Sequence, residues 1–261
     1  MVNISHDIYA EHWVLPERYD YVRQLWDDFA AAVYPHDDLE LSIRNRYFFE
    51  RLQKFATAEE NAVFVNIGAG LTSYPFLLEQ PIRCIEVDYP EVVAFKEQRL
   101  KSLQDKGIIP DRLVAFFAAD LNKAQSQCHL AEFLSAHLHG RLSFILLEGV
   151  TYYLERPVLA SILRIFRNLQ IPGSVLAFDF WKPNITRHPV FRRLKTFFAE
   201  RFDHKEGDYH LFDEHFIRSI NGYQIVEIST VVEQERTYAA SSVLKNYEQI
   251  LPENYAVLRR S

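Results

Sequence analysis

Apolar positions along the first third of this chain follow a helical period. Between Pro16 and Pro35, Tyr19, Val22, Leu25, Trp26, Phe29, Ala30 and Val33 recur at spacings that line one side of a helix. A second helical segment is expected over about 43–55, carrying Arg44, Arg46, Tyr47, Phe48 and Leu52. From Val63 the pattern changes: short apolar runs rich in β-branched and aromatic residues alternate with longer helical stretches. The runs predict strands at 63–67, 82–87, 112–118, 143–147 and 174–180, and the stretches predict helices from about 73, at 90–105, at 129–138 and at 156–169. Pro90 and Pro157 suit first helical turns, and Pro172-Gly173 reads as a turn. Strands that alternate with helices imply right-handed crossovers and a parallel sheet covered on both faces.

After Trp181 the alternation stops. Residues 182–210 read as an insertion whose Val190, Phe191, Leu194, Phe197 and Phe198 share one helix, and 213–221 as a helix closed by Asn221-Gly222. Strand candidates follow at 223–231 and 254–259, with a further one around 236–241. The expected architecture is a single α/β domain with a doubly wound, mostly parallel, seven-stranded sheet. Residues 1–58 form an N-terminal helical lid, 59–181 the ligand-binding core, 182–222 a helical insertion over the substrate, and 223–261 the C-terminal strands.

Ligands of open α/β sheets bind beyond the carboxyl ends of the strands. Gly68 to Ser73, Asp88, Asp120-Leu121, Glu148 and Asp179 all follow predicted strands, so one crevice collects them. Val63-Phe64-Val65-Asn66-Ile67-Gly68-Ala69-Gly70 is a buried strand entering a glycine turn, and Asp88 ends the next strand, where a carboxylate holds a ribose. A dinucleotide fingerprint wants a third glycine where this chain has Ser73. A nucleoside without phosphates, such as S-adenosylmethionine, needs only close backbone approach at Gly68 and Gly70. A nicotinamide-dependent oxidoreductase and a non-catalytic relative of the same fold are the competing readings. Asp88 alternatively caps the helix begun by Pro90. Asp120 is a candidate for an adenine amino group, with Leu121 against the ring, or else a cap for the following helix. Glu148 ends the most apolar strand, and a buried glutamate calls for a cationic partner. Tyr152, Tyr153, Phe178, Phe180 and Trp181 either wall the crevice or fill core.

The formal charge of −6 gives no basic footprint for nucleic acid, so a small molecule is the expected partner. Cys84 and Cys128 lack the close spacing of a zinc knuckle, and a reducing cytoplasm is expected. The start of the chain has no basic, apolar leader, and no run reaches the length of a membrane span, so neither export nor a membrane is expected. Ten histidines include the clusters 137–139 and 208–215, neither with the spacing of a known metal motif, and no metal is expected. The sequence carries no Gly-x-Ser-x-Gly elbow and no Walker loop.

Three strings carry a resemblance: Asn66-Ile67-Gly68-Ala69-Gly70-Leu71, Ile85-Glu86-Val87-Asp88-Tyr89-Pro90-Glu91-Val92-Val93-Ala94-Phe95-Lys96, and Leu147-Glu148-Gly149-Val150-Thr151-Tyr152-Tyr153-Leu154. In order and spacing they resemble the leucine carboxyl methyltransferases, class I enzymes that use S-adenosyl-L-methionine and release S-adenosyl-L-homocysteine. The resemblance implies a Rossmann-like sheet. It gives the methionine end of the cofactor to Gly68 with Ala69 and Gly70, the ribose to Asp88, the adenine to Asp120 and Leu121, and the amino group to Glu148. An arginine ahead of the first strand meets the cofactor carboxylate in this family, and Arg44 stands at the right distance, with Arg46 as its rival. Where the family reads Gly-Ala-Gly-Leu-Asp-Thr-Arg, this chain has Thr72-Ser73-Tyr74 after Leu71. That departure points to a divergent small-molecule O-methyltransferase of a carboxylate or a hydroxyl. A hydroxyl acceptor calls for a base, and Tyr152, His188 and His210 are the candidates.

Overall fold

The computed structural model describes residues 2–202, 209–239, 243–245 and 250–261. Seven strands form one sheet: β1 (Val63–Ile67), β2 (Arg83–Asp88), β3 (Val114–Ala118), β4 (Ser143–Leu147), β5 (Val175–Phe180), β6 (Tyr223–Thr230) and β7 (Asn254–Arg260). Their order across the sheet is β3-β2-β1-β4-β5-β7-β6. The first five are parallel, and β7 runs antiparallel to both β5 and β6. Strand order reverses between β1 and β4, the switch point at which doubly wound sheets open a crevice.

The two-residue period of β1 sends its side chains to different layers. Val63, Val65 and Ile67 join one core with Leu130, Leu134, Leu159 and Ile162, from α7 (Ala124–Leu138) and α8 (Arg156–Leu169). Phe64 points the other way and packs with Phe48 and Leu52 of α4 (Asp37–Ala58) and Tyr255 of β7. All these side chains are fully buried, and each contributes about 1.5–3 kcal/mol by leaving water. Helix α4 thereby seats its N-terminal half over the carboxyl end of the sheet. Two short helices, α1 (Val2–Ser5) and α2 (Ala10–Trp13), and the amphipathic α3 (Tyr19–Ala32) precede it, and α3 packs through Phe29 against the insertion. That insertion is a 3-10 turn at Pro183–Arg187 followed by α9 (Pro189–Phe202).

The expected helices at 90–105 and 156–169 and the strands at 63–67 and 143–147 form with those bounds, as α6 (Pro90–Asp105), α8, β1 and β4. Other segments differ. The helix expected from 73 is a single turn, α5 (Tyr74–Leu77), and α7 begins five residues earlier than the apolar pattern indicates, at Ala124. The helix expected over 213–221 is shorter, α10 (Glu214–Arg218). The strand expected around 236–241 is a misreading, because Val231–Tyr238 is a helix, α11. Thr230 accepts from the Glu233 N–H while the Glu233 carboxylate accepts from the Thr230 N–H, so a capping box outweighs the β-branched Val231-Val232 pair. Residues 240 and 241 of that segment lie outside the described ones.

Candidate active site

The glycine turn after β1 is shaped by what lies against it. Gly68 has φ +65°, and a Cβ there would run into the Val150 side chain, so both conformation and space require glycine. The backbone N–H of Gly70 donates to Asp88 Oδ2 at 2.7 Å, and the Tyr89 N–H donates to Oδ1 at 2.7 Å. Two backbone amides therefore fix this carboxylate at the tip of β2 and leave lone pairs on each oxygen for a ligand. Beside it opens a cavity of about 670 Å³ walled by Gly68, Asp88, Tyr89, Leu121, Asn122 and His210. Its shape and lining suit an adenosyl group: an acid for ribose hydroxyls, apolar side chains for a ring, and a backbone that lets the ligand approach closely.

Gly68, Gly149 and Tyr153 also border a second cavity of about 370 Å³, so the two adjoin along the glycine turns. Arg44 dominates this inner chamber. Its Nε lies 3.1 Å from Glu148 Oε1, and its Nη1 lies 2.8 Å from Glu253 Oε1 and 3.3 Å from Asp179 Oδ2. Burial opposes the guanidinium charge, but Glu253, Tyr152, Asp179 and Glu148 together push its pKa up. Asn45 and the Tyr74 hydroxyl donate to the two oxygens of Glu148. The Gly149 N–H donates to Asp179 Oδ1 at 2.8 Å. Burial raises the Asp179 carboxyl to about 6 even though Arg44 and that N–H act against the rise. The sequence's demand for a cation beside Glu148 is met within the protein by Arg44.

Arg46 turns elsewhere, to Glu50 at 2.6 Å. Ala69 and Gly70 border the inner chamber and Leu121 the outer cavity. Asp120 does not join Leu121 on that wall: it accepts from the Asn122 N–H at 3.1 Å and lies 3.3 Å from Lys123 Nζ, the work of a turn residue. Asn122 stands on the wall in its place.

Of the three candidate bases, Tyr152 borders the inner chamber and stacks face to face on Trp181, with centroids 3.9 Å apart. Burial first, and then the Asp179 charge, pushes its pKa well up, which keeps the phenol protonated. His210 stands on the outer cavity, its backbone N–H donating to the Tyr152 carbonyl at 2.7 Å. His188 is not brought to the crevice: it is buried where the 3-10 turn meets α9 and borders neither cavity. The helical pattern that placed it in the insertion did not reveal which side it faced.

Ser73, the departure from a third glycine, accepts from Trp13 Nε1 at 2.8 Å and so ties the N-terminal segment to the turn. Glu86 and Lys96 form a fully buried ion pair at 2.7 Å, and Lys96 Nζ also donates to the Thr72 carbonyl at 2.9 Å. This pair braces the turn from beneath. Asn45, Tyr74 and Glu253 escaped the sequence reading because each acts across a long chain separation with no local spacing to mark it. Among the described residues, no group of three or more His, Cys, Asp or Glu is placed to hold a metal ion. Asp208 of the 208–215 cluster lies outside the described residues.

The sequence profile of the leucine carboxyl methyltransferases matches residues 2–167, well over half of the chain. The chain belongs to the leucine carboxyl methyltransferase family. Two curated relatives bear names that place them among S-adenosyl-L-methionine-dependent methyltransferases. One from Frankia alni is 28% identical over 144 residues, 52% of this chain and 47% of its own length. The other, YktD of Bacillus subtilis, is 30% identical over 120 residues, 45% of this chain and 38% of its own length. The matched region thus spans half or less of these relatives. Among solved structures, one described as a methyltransferase from Thermobifida fusca matches with TM-score 0.65 at 20% identity, over 92% of this chain and 88% of that one. A DUF574 family protein from Streptomyces avermitilis matches with TM-score 0.64 at 15% identity, over 92% and 90%. The magnesium protoporphyrin IX methyltransferase of Synechocystis, solved with bound SAH, matches with TM-score 0.51 at 13% identity, over 85% of each chain. At these identities what is shared is the fold, and that fold is the class I methyltransferase sheet.

Proposed function

We propose that this leucine carboxyl methyltransferase family member is an S-adenosyl-L-methionine-dependent enzyme that methylates an oxygen, carboxylate or hydroxyl, of a small molecule. The observation that carries the reading is the Asp88 carboxylate, fixed by the Gly70 and Tyr89 amides at the mouth of a cavity that runs into the Arg44 chamber. Asp88 holds the ribose, Leu121 and Asn122 flank the base, and Gly68 admits the methionine arm. Arg44 and Glu148 receive its carboxylate and ammonium. When bound, the cofactor supplies an electrophilic methyl group. The chain's own part is to align the acceptor, to exclude water with the aromatic wall of Tyr152 and Trp181, and to take up a proton where the acceptor has one. A crevice in which Tyr152, Tyr153 and Trp181 crowd the inner chamber suits a small acceptor. Among the described residues no helix is long and apolar enough to cross a membrane. The free thiols of Cys84 and Cys128 accord with a reducing cytoplasm.

Titration calorimetry tests the reading. S-adenosylhomocysteine is expected to bind while NADH does not, and Asp88→Ala is expected to weaken binding at least tenfold, about 1.4 kcal/mol for lost charged hydrogen bonds. Binding of NADH alone would assign the crevice to hydride transfer, and unchanged affinity in the Asp88 variant would remove the ribose assignment.

A further inference from the structure

The far end of the inner chamber has a chemistry that the cofactor does not account for. Three carboxyl groups there each commit one oxygen to the protein and keep the other buried without a hydrogen-bond partner among the described residues. Glu253 Oε1 meets Arg44, and Oε2 has no partner. Glu40 Oε2 accepts the Leu251 N–H at 3.1 Å, and Oε1 has no partner. Asp37 Oδ1 accepts the Tyr34 hydroxyl at 2.7 Å, and Oδ2 has no partner. Glu40 and Glu253 are only 2% and 5% exposed, yet both stand on the chamber wall with Asp37. Such atoms are costly to leave unsatisfied, and at Asp37, the acid of the three with the smallest rise in pKa, a ligand that donates a hydrogen bond relieves that cost.

The charges point the same way. Arg44 is the cation on the described wall, facing the carboxyl groups of Asp37, Glu40, Glu148 and Glu253. With both cofactor termini paired off against Arg44 and Glu148, an incoming anion would meet the Asp37 carboxylate without a cation to receive it, whereas burial favours the protonated, uncharged forms of Glu40 and Glu253. The rest of the wall is apolar and aromatic: Trp26, Phe29, Tyr34 and Phe198 approach from α3, the segment after it, and α9.

Resting on the cofactor reading above, we propose that the acceptor presents a proton-bearing group, a hydroxyl or an amine on an apolar or aromatic body, to Asp37, and that this chamber excludes a carboxylate acceptor. In the hydroxyl case the acceptor oxygen forms its bond to the methyl carbon as the carbon–sulfur bond breaks. The electron pair of that broken bond stays on sulfur, and the hydroxyl proton passes to Asp37 Oδ2. Within oxygen methylation this selects the hydroxyl over the carboxylate. Asp37 rather than Tyr152 is then the proton acceptor, with its second oxygen steadied by Tyr34.

The test uses three probes of one shape, 2-phenylethanol, 2-phenylethylamine and phenylacetate, titrated by ligand-observed NMR into full-length protein saturated with S-adenosylhomocysteine. The alcohol or the amine is expected to bind at least about tenfold more tightly than phenylacetate, because like charges facing each other in a desolvated site repel strongly. Preference for the alcohol keeps the acceptor atom oxygen, and preference for the amine moves it to nitrogen. Either supports the proposal. In the Asp37→Asn variant the gap is expected to shrink below about threefold, with retained S-adenosylhomocysteine affinity reporting an intact fold. Phenylacetate binding as tightly as the other two, or an unchanged gap in Asp37→Asn, overturns it. Failure of S-adenosylhomocysteine to bind the wild type is a separate result, which defeats the cofactor reading and not the acidity of the chamber.

Discussion

Glu253 binds protons in a way that the pH dependence of folding exposes. Burial is the main cause that pushes its carboxyl from the ordinary 4.5 up to about 8, with Arg44 acting against the rise and Asp179 and Asp37 adding to it. Between those values the folded chain retains a proton that the unfolded chain has released. The contribution is therefore fully present below about 4.5 and is lost as the pH climbs toward 8. Asp37 and Asp179, each raised from 3.8 to about 6, act with the same sign over a lower window. Glu253→Gln keeps the shape and removes the upper titration, so its thermal midpoint is expected to overtake that of the wild type as the pH rises from about 5 to about 8. A gap between the two that stays constant with pH would show that Glu253 does not carry a raised pKa. The three acids also mark the boundary of what sequence makes visible. Gly68, Gly70, Asp88 and Glu148 are readable because each follows a strand in a local turn pattern. Asp37, Glu40 and Glu253 are not, because α4 and the start of β7 bring them together from opposite ends of the chain.

Elements show the same division between local and distant causes. The inner parallel strands β1, β2, β4 and β5 stand out because both of their faces are covered, which makes them continuous apolar runs. Edge segments are harder: β6 begins with half-buried and exposed positions in alternation, with a bulge between Ile225 and Glu227 that leaves Val226 exposed. Helix α11 is hidden behind two valines, and a four-residue capping signal decides its state. Thr230→Ala is expected to lower stability by about 1 kcal/mol, measured by urea denaturation, since it removes the side-chain acceptor for the Glu233 N–H. An equal loss in Val232→Thr, which lowers apolarity but keeps the cap, would show that packing rather than capping holds the helix. Helix α4 has a plainer signature and a larger role. Its apolar side clamps the sheet through Phe48 and Leu52, while Arg44, Asn45, Asp37 and Glu40 on the same helix face the chamber.

Across the whole molecule the sheet order has a consequence of its own. Among the described residues, strand β6 pairs with the sheet only through β7, which slots between β5 and β6. A variant with β7 weakened by Val257→Asp is expected to lose amide protection in β6 and β7 together, with β1 to β4 protected longer in hydrogen exchange. Simultaneous loss across all seven strands would mean that the sheet opens as one unit. The same insertion carries Glu253, one residue ahead of β7, to Arg44. Strand β7 therefore both joins the edge strand β6 to the sheet and, through the residue ahead of it, completes the ring of acids around the guanidinium. During synthesis on a ribosome, a growing chain can stack β1 to β5 well before this strand emerges, but it cannot finish the chamber. Competence to receive a ligand waits for β7 to pair, and that strand acts as a latch on β1 to β5, which are made before it.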